Sequence, residues 1–194
     1  PSPVSFDPPV LGYLSKMTES LGLGLLCDAF IELKQKPELA NLELRVTGGQ
    51  MGPDVTYVNN LKNKIRDAGF EADATFLEGF EPDQRRDFMK TISVLSVPSP
   101  RGESFGMFIA ESLAVGVPVV QPNTGGYPEV VEATGGGVIY DAKDPHGLVN
   151  ALESMLLDPE GAREMGQRGR AVVHEKFGVD RMARDVVKVY EGLV

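Results

Sequence analysis

Residues 101–120 read RGESFGMFIAESLAVGVPVV, and this stretch decides the architecture. A glycine-flanked turn carries Glu103, an apolar helical pattern follows the Phe-Gly pair, and a continuous PVV run ends the segment. Continuous β-branched runs, unlike alternating ones, suit parallel strands covered on both faces. Glu111 sits on the first or second turn of the helix, where the positive end of the helix dipole favours an anion. Carboxylates this close to a core are costly unless paired. They either cap and solubilise a helix start or face a pocket that holds hydroxyls or cations.

Working outward, apolar runs recur at 10–14, 42–47, 74–77, 94–97, 117–121 and 137–140. Helical stripes lie between them. Leu21, Leu25, Leu26, Ala29, Phe30 and Leu33 form one, and Val58, Leu61, Ile65 and Ala68 form another. A short helix over 82–90 opens with Pro82. After 140 the pattern becomes helical, through Leu148–Leu156, then Met165 to Val173, then Met182 to Tyr190. The alternation predicts an α/β, doubly wound, mostly parallel six-stranded sheet of Rossmann-like type with a helical C-terminal tail. Residues 1–9, PSPVSFDPP, are proline-rich and read as a linker, and a start without methionine reads as a piece of something longer.

The bulk composition excludes several function classes. With 194 residues, 42% hydrophobic and 24% charged, the chain is an ordinary globular one that can bury a full core. A formal net charge of -9 argues against sequence-independent binding of DNA or RNA. No apolar run has the length of a membrane span and no signal segment opens the chain, so a cytoplasmic setting is the expectation. Cys27, the single cysteine, falls on the apolar side of a helix and reads as a core residue. His146 and His174 lie far apart without other ligand types at metal spacing, so no metal and no cofactor are expected.

Ligands of doubly wound sheets bind outside the carboxyl ends of the strands. After the first strand, Ser15, Lys16 and Thr18 lead into a helix near Ser20, which reads as a capped helix start or a phosphate seat. After the second, Gly48 and Gly49 allow close approach of a ligand or form a tight strand exit. No G-x-G-x-x-G follows either strand, so a nicotinamide or flavin is unsupported. The third strand ends in FLEGF, where Gly79 would let a flat ring lie on the backbone. The fourth ends in the loop of Glu103, and the fifth runs into Thr124, Gly125 and Gly126. Phosphate donors, glycines and hydroxyl-gripping carboxylates together match the three parts of a nucleotide-sugar.

At these residues the chain resembles a known family. E103-SFGMFIA-E111 fits the E-x(7)-E motif of retaining glycosyltransferases of the family-4 branch of the GT-B fold, and ESLAVGVPVV, TGGYPEVV and GGGVIYDAKDP extend the fit. The resemblance covers residues 10–194 and is to the C-terminal, donor-binding half of such enzymes. It implies a hexosyl transfer from a nucleotide diphosphate sugar to an acceptor that the sequence does not identify. Glu103 would serve the donor sugar as the catalytic group. Lys16, Gly106, Met107, Phe108, Thr124 and Gly125 would meet sugar and diphosphate, and Glu111, Gly79, Phe80 and Gly48 would border the nucleoside. It implies as partners the donor and a missing N-terminal acceptor domain, no metal, and an isolated domain inactive by itself.

The chain departs from the family at one place. An Arg after the first strand and a Lys five residues on usually bind the diphosphate, and here those positions are Lys16 and Leu21. Arg101 is a candidate substitute charge. The alternative is therefore a degenerate, non-catalytic nucleotide-binding or structural domain of the same fold.

Overall fold

Val10–Leu14 (β1) is buried at all five residues, because it is the interior strand on which the rest of the sheet is laid. A computed structural model describes residues 4–77 and 81–193 of the chain. β1 pairs in parallel with Glu43–Thr47 (β2) and with Val94–Leu95 (β4). Ala74–Leu77 (β3) pairs with β2, and Val119–Pro122 (β5) lies between β4 and Gly137–Tyr140 (β6). The strand order is β3-β2-β1-β4-β5-β6, and every pairing is parallel, where the sequence predicts a mostly parallel sheet.

The helices are Leu23–Lys34 (α1), Pro53–Asp67 (α2), Pro82–Met89 (α3), Met107–Val115 (α4), Tyr127–Thr134 (α5), Gly147–Leu156 (α6), Pro159–Lys176 (α7) and Val179–Glu191 (α8). Right-handed crossovers put helices on opposite faces as the winding reverses at the β1–β4 boundary. Accordingly α1 packs with α2 and α6, while α3 packs with α4, and α7 lies across α4 and α5. The two core layers meet β1 through residues such as Leu11, Tyr13, Leu26, Phe30, Ile109 and Leu113, all fully buried or nearly so.

Element boundaries differ from the sequence pattern where the backbone has other partners. Leu42 N donates to Leu39 O at 2.9 Å, so Leu42 closes a turn before β2. Val117 N donates to Ser112 O at 3.0 Å, and Pro118 has no N–H to give, so β5 starts two residues after its apolar run. The first helical stripe breaks at Gly22, whose φ of 78° ends a short 3-10 turn over Glu19–Leu21. Leu25 consequently faces outward and is 48% exposed.

The C-terminal helices are not a uniform tail. α6 and α7 pack on the body, whereas α8 buries none of its residues. Residues 4–9, linker-like in composition, are tied to the body as well. Phe6 is buried beneath the Arg163 guanidinium, and Ser93 Oγ donates to Ser5 O at 2.6 Å. Among the described residues no helix is long and apolar enough to cross a membrane.

Candidate functional site

The sheet reverses its winding between β1 and β4, and this is where the crevice of a doubly wound fold opens. A cavity of about 340 Å³ lies there. Leu14 and Ser15 reach it from the end of β1, Arg85 from α3, and residues 103–108 from the loop after β4 and the head of α4. Glu103 is half-buried in that loop, with its carbonyl accepting from Gly126 N at 2.8 Å. Glu111 is half-buried on the second turn of α4.

The loop after β4 is held by close backbone packing. A Cβ on Gly125 would come within 2.5 Å of Glu103 O. Gly106 starts α4 with φ 73° and no side-chain cap. The amide of Ile109 bonds back to Gly106 O at 2.8 Å, which leaves Met107 and Phe108 in the turn whose N–H groups have no intrahelical partner. Phe108 is buried edge-on against Tyr127, with ring centroids 5.7 Å apart, whereas Met107 is 60% exposed at the cleft mouth. Burial first, and then the nearby Glu103 charge, push the Tyr127 phenol above its ordinary range. Burial likewise pushes the Tyr13 phenol up, followed by Tyr57, Tyr127, Cys27 and, last, Glu103.

Glu111 is not open to solvent as a lone carboxylate. Arg85 Nη2 donates to both of its carboxylate oxygens in a bidentate pair. The pattern of the sequence does not reveal this partner, because α3 follows β3 at the far edge of the sheet and the crossover returns it beside α4. The signal that bears on it is local: Glu81 and Gln84 form a capping box around Pro82, which fixes where the α3 turn begins.

Other expected site residues lie elsewhere. Lys16 is exposed beside the cleft and pairs with Asp54 at 3.6 Å, while its carbonyl accepts from the Tyr13 hydroxyl at 2.9 Å. Gly48 is buried with φ 151°, and a Cβ there would come within 1.7 Å of Ser15 O. Its close approach is to the backbone between β1 and α1, as a tight strand exit requires. Thr124 donates its hydroxyl to Ser99 O at 3.0 Å and lines a second cavity of about 680 Å³ between α1, α6 and the loops after β4, β5 and β6. Gly79 and Phe80 lie outside the described residues. Leu21 is half-buried and packs against the core.

Residues 2–172 match the family described as glycosyl transferases group 1. The chain belongs to this family. Among curated proteins it is 31% identical over 171 residues to a GDP-mannose-dependent alpha-(1-6)-phosphatidylinositol monomannoside mannosyltransferase of Mycolicibacterium smegmatis, covering 84% of this chain and 43% of that one. It is 27% identical to a D-inositol 3-phosphate glycosyltransferase of Corynebacterium jeikeium, covering 98% of this chain and 45% of the relative. The chain thus spans about half the length of the curated relatives it matches.

Solved structures share the fold. Sucrose-phosphate synthase from Thermosynechococcus elongatus superposes with a TM-score of 0.83 at 24% identity, over 95% of this chain and 45% of that one. Anabaena HepE in complex with UDP-glucose gives 0.82 at 23%, over 94% and 48%. The C-terminal domain of a group 1 glycosyl transferase, LpcC, from Francisella tularensis gives 0.77 at 19%, over 88% and 87%.

Proposed function

We propose that residues 10–194 are the nucleotide-sugar donor-binding part of a retaining glycosyltransferase that moves a hexosyl group from a nucleotide diphosphate to an acceptor. The observation that carries the reading is the cleft at the β1–β4 reversal, where one carboxylate, one arginine and the uncapped head of α4 line a single cavity. In this reading Glu103 faces the donor sugar and supports the positive charge that develops on its ring. The N–H groups of Met107 and Phe108, with the α4 dipole behind them, face the departing diphosphate. Fixed donors aimed at charge that develops in the transition state are the largest catalytic contribution expected of such a site. Glu111 holds the ribose hydroxyls. The nucleotide-sugar relatives and the UDP-glucose complex of a fold neighbour support the ligand class. An acceptor-binding partner half is part of the proposal, and this chain alone is expected to transfer no sugar.

A specific observation favours a second reading, a degenerate domain that binds nucleotide weakly and serves structure. Leu21 brings no charge to the diphosphate, and Lys16 is engaged by Asp54. Calorimetric titration with UDP, GDP and ADP separates the two. Saturable binding of one of them, weakened about tenfold or more in Glu111→Ala, supports the donor site. A folded protein that binds none supports the degenerate domain.

A further inference from the structure

We propose that Arg85 is the cation this cleft presents to the donor's diphosphate, and that its pair with Glu111 is the resting, nucleotide-free arrangement. The inference rests on the donor-site reading above. Among the described residues lining the cavity, Arg85 is the basic one. The other cations considered from the sequence stand outside it. Lys16, beside the cleft, pairs with Asp54, and neither it nor Arg101 on the exposed loop is among the lining residues. A chain of net charge -9 needs local positive charge to hold a diphosphate, and here it comes from α3 rather than from the segment after β1.

Arg85 is also placed for the exchange. Its side chain is 24% exposed and that of Glu111 32%, so the pair is partly desolvated, with Arg85 on the cleft lining and Glu111 behind it on α4. The pair with Glu111 is made through Nη2, one of the nitrogens of a planar guanidinium. Guanidinium geometry matches phosphate oxygens as well as it matches a carboxylate. A ribose on Glu111 brings the attached diphosphate to the side chain already touching that carboxylate. The diphosphate carries more charge than Glu111, and the ribose hydroxyls give Glu111 new donors. Donor binding thereby trades one partner of Arg85 for another without stranding either charge.

The test is calorimetry on the whole chain with the nucleoside, the monophosphate and the diphosphate of whichever base binds, for wild type, Arg85→Gln and Arg85→Lys. Arg85→Gln is expected to weaken diphosphate binding about ten- to a hundredfold and to flatten its dependence on salt. Its nucleoside affinity is expected to stay within about twofold, because that contact runs through Glu111. Arg85→Lys keeps charge but loses the planar fork, so its diphosphate loss is expected to be smaller, and it carries the test should Arg85→Gln fail to fold. Equal losses for nucleoside and diphosphate would make Arg85 a mere support for Glu111 and overturn the proposal. Unchanged diphosphate affinity in both variants overturns it too, while leaving the donor site standing. No diphosphate binding by wild type overturns the donor site and this assignment together.

Discussion

Tyr127 lies with its ring directly under Gly106: a Cβ on Gly106 would come within 2.8 Å of Tyr127 Cε1. The first residue of α5 thus sets the height at which α4 begins, and with it the position of the Met107 and Phe108 amides. Gly106 also has φ 73°, which an L side chain adopts with strain. Gly106→Ala is expected to lower stability by about 2–3 kcal/mol, from steric overlap and backbone strain together. Urea unfolding measures it, with an unchanged m-value if the unfolding remains two-state.

Gly48→Ala tests the tight strand exit. The new methyl would stand 1.7 Å from Ser15 O, a backbone atom that cannot swing away. A loss of about 3 kcal/mol or more is expected, larger than for Gly106→Ala because no side chain can yield. Thermal unfolding of the two variants side by side gives the order.

Cys27 is a buried thiol on α1, and burial, followed by the neighbouring Asp28 charge, pushes it up to about 12. Its protonated form is the one the fold favours, so this contribution to stability is fully present below the unfolded-state value. Above that value the unfolded chain releases the proton first, and the contribution is lost as pH rises towards 12. Two results are expected. The native thiol reacts with a disulfide reagent at pH 8 far more slowly than the unfolded one, and denaturant midpoints fall on the alkaline side. Thiol kinetics with and without urea check the first, and a pH series of melts the second.

The boundaries of β1, β3 and β6 were legible because their apolar runs end where turn residues begin. Parallel pairing was legible in the continuity of those runs. What escaped was contact across the topology. Glu111 could be nominated from its helix position, but Arg85 could not, since twenty-six positions and a crossover separate them. Lys16 shows the converse: its place after β1 suggests an anion seat, yet its ammonium pairs with Asp54, the second residue of α2, which the sequence pattern does not show. Thr124 is similar: its hydroxyl donates to Ser99 O on the neighbouring loop, a partner that the sequence pattern does not show.

α8 is amphipathic in pattern but buries none of its residues; Val179, Met182, Val186 and Tyr190 are exposed. Its amides are expected to exchange with solvent orders of magnitude faster than those of β1. Ending the chain after residue 178 is expected to change unfolding free energy by less than about 1 kcal/mol. Hydrogen exchange and urea unfolding of the shortened chain check these.

The most direct test of the donor cleft is differential hydrogen exchange of the whole chain with and without a saturating nucleotide diphosphate. Protection is expected to concentrate at the end of β1, over residues 103–108 and along α3. Protection confined to the cavity between α1 and α6, or no protection with any of UDP, GDP and ADP, would contradict it.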